Sequence, residues 1–221
     1  MIMASEQSIE KTLSKEALSV IESYRDIPYF NNKRQNIRFG LRARVGKGTA
    51  EKILDEAEIF AMQEKVDWKS LYPDMRKKFL VDHKLGVDCS AFAYYVLDAE
   101  SQARGLGSLS RHLSFPFADG ILPRLGRILL GRYVENANVR TFAHPSNSHP
   151  IDINDIQPGD FLIRLSPERN HIMVVMVVED KQITIVHSEA RIEDSKYKHG
   201  IRTETIPLSS LSLPLHRLNG F

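Results

Sequence analysis

The stretch Gly86-Val87-Asp88-Cys89-Ser90-Ala91-Phe92 turns from polar to apolar within seven residues. After it, Phe92, Tyr95, Val96 and Ala99 recur at three- and four-residue steps, which predicts a short helix buried along one face. Asp88 is a good N-cap for that helix. Cys89, the one cysteine of the chain, then falls in the first turn, where unpaired backbone N–H groups and the positive end of the helix dipole favour thiolate over thiol. Cys89 is therefore a candidate nucleophile. A free cysteine also fits the same position as a small buried hydrophobe, and the histidines downstream decide between the two.

A thiol nucleophile needs a base within hydrogen-bond reach and a third group to orient that base. His171 opens the run His-Ile-Met-Val-Val-Met-Val-Val, and His187 closes Ile183-Thr184-Ile185-Val186-His187. Both runs are rich in β-branched residues and are separated by Glu179-Asp180-Lys181-Gln182, so they read as a β-hairpin. Side chains alternate along a strand, and the two histidines share a face only for one parity of the pairing. A loop of three or five residues places them directly opposite one another. A two-residue turn at Asp180-Lys181 places them on opposite faces.

Four stretches, in order, resemble the NlpC-type cell-wall cysteine peptidases, compact relatives of papain. Val87-Asp88-Cys89-Ser90-Ala91-Phe92 is similar to the nucleophile motif of the family. Asp155-Ile156-Gln157-Pro158-Gly159-Asp160-Phe161-Leu162-Ile163 is similar to its Pro-Gly-Asp entry into the first sheet strand. His171-Ile172-Met173-Val174-Val175 stands where the family has His-Val-Gly-Ile-Tyr, and Val186-His187-Ser188 stands at its third polar position. The likeness covers about residues 76–190. It implies an α+β, papain-like domain over 76–221, with helices packed on an antiparallel sheet, preceded by a helical N-terminal extension over 1–75. It implies Cys89 as nucleophile, His171 as base and His187 as its orienting partner, with Asp88 and Ser90 beside the nucleophile as substrate-binding residues. The implied reaction is hydrolysis of an amide bond in a peptidoglycan stem peptide, through a thioester and without metal or cofactor.

The chain departs from the family pattern in places. Ala91 replaces the glycine after Cys-Ser, and Met173 replaces the glycine two after the histidine. Family members carry a tyrosine about a dozen residues before the cysteine; here Met75 to Asp82 holds none, and Tyr72 is not assigned that role. The segment between Cys89 and Pro158 is also long, so an altered substrate or a remodelled cleft is expected. Two other classes stay open. An acyltransferase or transpeptidase would use the same residues with an amine in place of water. A catalytically silent binding module is favoured by the missing tyrosine and opposed by the three retained polar positions. Permuted lipid acyltransferases of the superfamily place histidine before cysteine, the reverse of the order here.

Composition is globular: 221 residues, 42% hydrophobic and 26% charged, enough to bury a sizeable core. Thirty basic residues offset by 28 acidic ones leave a net charge of +2, which gives no argument for nucleic acid. The cluster Lys33, Arg34, Arg38, Arg42, Arg44 and Lys47 reads as solvated surface. No 18-residue apolar run spans a membrane. Met1 to Ala4 run into Ser5-Glu6-Gln7-Ser8 without the pattern of a secretory signal. An extracytoplasmic location is expected only for a cell-wall enzyme whose leader was removed.

Before residue 75, Ile9, Leu13, Ala17, Val20, Ile21 and Tyr24 predict a helix ended by Pro28, and Thr49 is expected to cap a second with the stripe Ile53, Ala57, Phe60, Ala61. Gly46-Lys47-Gly48-Thr49 lacks the glycine spacing and preceding strand of a phosphate loop. Leu122 to Arg140, with Pro123 in a first helical turn, is placed to wall the cleft and to offer an arginine to a substrate carboxylate. His144 and His149 lack the spacing and partners of a zinc site. Gly200 to Ile206 alternates as an exposed strand, and the tail after Pro207 reads as irregular.

Overall fold

The computed structural model describes residues 11–31, 42–117, 120–191 and 193–221. Local chemistry starts the first four helices. Ser14 Oγ accepts from the Ala17 N–H ahead of α1 (Lys15–Ser23), and Thr49 Oγ1 accepts from Lys52 ahead of α2 (Ala50–Glu64). Pro73 begins α3 (Pro73–Asp82). The cap expected at Asp88 is made: its Oδ1 accepts from the Ala91 N–H at 2.7 Å ahead of α4 (Cys89–Ala103). The expected cleft segment forms α5 (Ile121–Leu130) and the short α6 (Tyr133–Asn136) and α7 (Val139–Phe142).

Among the described residues seven strands form one antiparallel sheet: β1 (Lys11–Thr12), β2 (Ser148–Pro150), β3 (Phe161–Arg164), β4 (His171–Val178), β5 (Gln182–Glu189), β6 (Gly200–Pro207) and β7 (Leu215–Leu218). Their order is β2-β7-β3-β4-β5-β6, and β1 adds to the far end of β4. The fold is thus mixed helix and antiparallel sheet, the α+β class. Alternation divides the sheet into two buried faces. Phe161, Ile163, Ile172, Val174 and Val186 pack with Phe92 and Val96 of α4, whereas Leu162, Met173, Val175, Ile183 and Ile185 form a second cluster. Among the described residues no helix is long and apolar enough to cross a membrane.

Three expectations are corrected. The first helix begins at Lys15, because Ser14 caps it and Lys11–Thr12 leave as a strand; Ile9 and the basic residues Lys33, Arg34 and Arg38 lie outside the described residues. The tail is not irregular throughout: β7 inserts between β2 and β3, Leu215 opposing Leu162. The third concerns the hairpin. Val178 pairs with Ile183 and the Glu179 N–H donates to the Gln182 carbonyl at 3.0 Å, leaving the two-residue turn Asp180-Lys181. That parity would separate the histidines. A β-bulge at Met176 restores it: Val177 pairs with Thr184 but Val175 with Ile185, two residues of β4 lying beyond one step of β5. The bulge carbonyl accepts from the Leu13 N–H at 3.0 Å, so the N-terminal segment takes up the acceptor that the ladder leaves.

The core runs through the boundary expected near residue 75. Leu13, Ala17, Tyr24 and Ile53 share one cluster with Phe92 and Val96. Tyr29 forms a parallel bridge with Val87, and the Val87 N–H donates to the Pro28 carbonyl at 3.0 Å. Gly86 makes this approach possible: a Cβ there would lie 2.4 Å from the Pro28 oxygen.

Candidate active site

Cys89 is the first residue of α4 and is only 6% exposed. The helix packs on the sheet, and the backbone N–H of Ile172 reaches the sulfur, so the thiol meets β4 one residue from His171. Around it, Lys47 crosses from the N-terminal half. Its buried ammonium donates to Ser90 Oγ at 2.8 Å, Asp88 Oδ1 at 3.1 Å and the Ala137 carbonyl at 3.1 Å. Lys47 is 8% exposed, a correction to its reading as solvated surface. Burying it is possible because the Asp88 carboxylate, 3.0 Å away at Oδ2, compensates the charge. Asp88 and Ser90 line the cleft and are held by Lys47.

His171 and His187 sit on the same sheet face. Continued from Val174↔Val186, the register sets His171 across from Glu189 and His187 across from Met173, so the histidines are diagonal neighbours, not directly opposite as expected. Their rings meet edge to face, His171 Nε2 lying 2.7 Å from His187 Nδ1. His171 Nδ1 is buried with no hydrogen-bond partner. Both rings root on the sheet face away from α4, at the strand end that Cys89 approaches. No hydrogen bond joins the thiol to His171 in this resting arrangement.

Electrostatics follow from burial. The thiol is pushed up to about 11, first by burial and then by the Asp88 carboxylate, with Lys47, the Ile172 amide and Arg169 acting in the opposite sense. The expectation of a resting thiolate is therefore corrected: desolvation outweighs the helix dipole at this position. His171 is pushed down to about 2, by burial first, then by His187 and the guanidinium groups of Arg169, Arg164 and Arg191. Burial also lowers His187, against Glu189 and Glu204, which favour its charged form. Thiol and imidazole are both neutral at rest.

Several residues of the site carry no signal in the sequence reading. Tyr29 is pushed up to about 12 by burial and then by Cys89 and Asp88, and Arg169 stacks over its ring at 5.5 Å. A tyrosine thus stands near the thiol, but it comes from the N-terminal segment, not from the helix before the cysteine. Arg169 and Asn170 could have been suspected from their position at the start of the His171 strand; Lys47 and Tyr29 are too far off in sequence. A cleft of about 800 Å³, its solvent-open mouth included, opens on Cys89 and is lined by Lys47, Asp88, Ser90, Asn138, Arg140 and Asn170 among others.

Among the described residues, His171, His187 and Glu189 are the one group whose ligand atoms, all within 4.8 Å of one another, suit a metal ion. Glu189 is engaged by Arg191 at 2.7 Å, and Arg164, Arg169 and Arg191 surround the pair, a field that opposes a further cation. His144 and His149 hydrogen-bond Ser146 and Asn219. Comparison of the chain with protein-family models, curated proteins and solved structures finds no match.

Proposed function

We propose that the chain is a cysteine-dependent hydrolase of the NlpC type on a papain-like fold, cleaving an amide bond in peptidoglycan stem peptides. The observation that carries this reading is the state of His171: Nε2 is fixed by His187, while Nδ1 is buried without a partner, one residue from the amide that touches Cys89. A base needs one nitrogen held and one free. The four motifs in family order add the substrate class by analogy.

For Nδ1 to accept, Nε2 must carry the proton and donate to His187 Nδ1; His187 then carries its own proton at Nε2, 3.5 Å from Glu204. The thiol passes its proton to His171 Nδ1 as sulfur attacks the scissile carbonyl. The oxyanion is received by the Cys89 backbone N–H at the start of α4. His171 returns the proton to the leaving amine; water, deprotonated by the same nitrogen, then cleaves the thioester, and the proton passes from His171 to the departing Cys89 sulfur. A neutral starting pair means that ionisation accompanies attack.

One observation favours a second reading. The raised thiol, without a hydrogen bond to imidazole, suits a binding module that keeps the fold without turnover. Digestion of purified peptidoglycan by the protein and by Cys89→Ala, read by mass spectrometry, separates the two. New peptide termini are expected with the parent chain alone; none with either protein, at concentrations where both bind the polymer, would establish the binding module instead.

A further inference from the structure

The charges around the cleft are unevenly matched. Among the described residues two acidic ones line it, and both are engaged: Asp88 by Lys47 at 3.0 Å and Glu135 by Arg42 at 2.6 Å. Lys47 spends its donors on Asp88, Ser90 and Ala137. Arg140, in α7, is exposed, lines the same cavity as Cys89 and has no ion-pair partner among the described residues. The remaining lining is donor-rich: the Asn170 Oδ1 accepts from the Ser166 N–H, which leaves its amide nitrogen for a ligand. Arg169 adds a second guanidinium close enough to stabilise charge on Cys89. One nitrogen of that group, Nη2, is buried with no partner.

We propose that Arg140 is a specificity-determining residue, and that the ligand of this cleft carries a carboxylate which the Arg140 guanidinium receives. A guanidinium offers a carboxylate two parallel N–H donors, which fixes orientation as well as position. With the acids of the described lining, Asp88 and Glu135, already ion-paired, the uncompensated charge of Arg140 selects an anionic ligand over its neutral isostere. The inference rests on the hydrolase reading for the choice of a stem peptide as ligand, but not for the binding preference itself.

The test uses two stem tetrapeptides that differ at one group, the D-glutamyl α-carboxylate or its carboxamide. Turnover is measured with the full chain and with Arg140→Gln and Arg140→Lys. Binding is measured with Cys89→Ala and with Cys89→Ala/Arg140→Gln. The acid should be preferred over the amide by about tenfold or more, as expected for a charge-assisted bond, mainly through KM. The preference should approach one in Arg140→Gln and recover in part in Arg140→Lys. Turnover of both peptides at equal efficiency would overturn the Arg140 assignment and leave the hydrolase intact. Absence of turnover, with Cys89→Ala still preferring the acid in an Arg140-dependent way, would overturn the hydrolase and leave the assignment standing. Equal binding of the two peptides by Cys89→Ala, or none, overturns the assignment whichever way turnover falls.

Discussion

His171 Nε2 and His187 Nδ1 lie 2.7 Å apart although the turn that joins their strands has the parity that should separate them. The bulge at Met176 supplies the missing residue. The consequence is a division of labour between the two rings: one nitrogen of His171 is held, the other is free.

That division predicts different tolerances. His187→Asn keeps a hydrogen-bonding group beside His171 and should retain activity within about tenfold, whereas His187→Ala should lose more. His171→Asn cannot carry a proton and should lose about a hundredfold or more in kcat/KM. Comparable losses for His171→Asn and His187→Asn, in variants whose folding is checked by circular dichroism, would overturn the assignment of roles.

The resting thiol should titrate high. Thiolate absorbance near 240 nm and the rate of iodoacetamide alkylation should both climb through pH 9, with an inflection near the value of about 11 set by burial and by Asp88. Asp88→Asn, which keeps an oxygen to cap α4, should move the inflection down. An inflection at or below about 8.5, the ordinary thiol value, would show a resting thiolate and contradict this account.

Acid should weaken the fold through the buried histidines. In the unfolded chain both titrate near the ordinary value of about 6.5, while in the folded chain His171 is held down to about 2 and His187 is lowered. The unfolded state therefore binds more protons below about pH 6.5. The stability present above that pH is lost as pH falls toward the folded values, with a slope of up to about 1.4 kcal/mol per pH unit for each ring. Urea unfolding between pH 7.5 and 5 should show this slope, and His171→Gln should flatten it. An identical slope in the variant would place the titration elsewhere.

Gly86→Ala tests how the N-terminal segment is joined to the cysteine loop. A methyl group there meets the Pro28 oxygen at 2.4 Å, so the Tyr29–Val87 bridge must open. Overpacking of this kind should cost about 1–3 kcal/mol, and the thermal midpoint should fall accordingly. Wild-type stability would mean that residues 28–30 move aside freely.

Much of this arrangement is legible in the sequence because its signals are local. Asp88 and Thr49 cap the helices they precede, and Gly200–Pro207 alternates and pairs with β5 as its pattern suggests. The hairpin is visible too, but its register is not. In His171–Val178 nearly every side chain is apolar and both faces are buried, so a shift by one residue leaves the pattern equally satisfied. Lys47 is illegible for another reason: its partner Asp88 is 41 residues away, and a charged residue among other charges reads as surface until that partner is known. The two-sided cover of the sheet likewise hides β7, whose pairing with β3 joins segments more than fifty residues apart.

The bulge also sets a rule for chain length. Residues paired across β4 and β5 face the same side, and Val175 and Val177 already pair with successive residues of β5, Ile185 and Thr184. Removing Met176 would therefore leave a regular hairpin in which every remaining β4 side chain keeps its side of the sheet. Lost from the strand outside the bulge residues Met176 and Val177, a single residue would carry part of β4 through the sheet, exchanging side chains between the helix-packed core and the opposite cluster. The hairpin holds one spare residue, at the place where the N-terminal segment fastens to it through Leu13, so a shortened strand that preserved the histidine pair would do so by releasing that attachment.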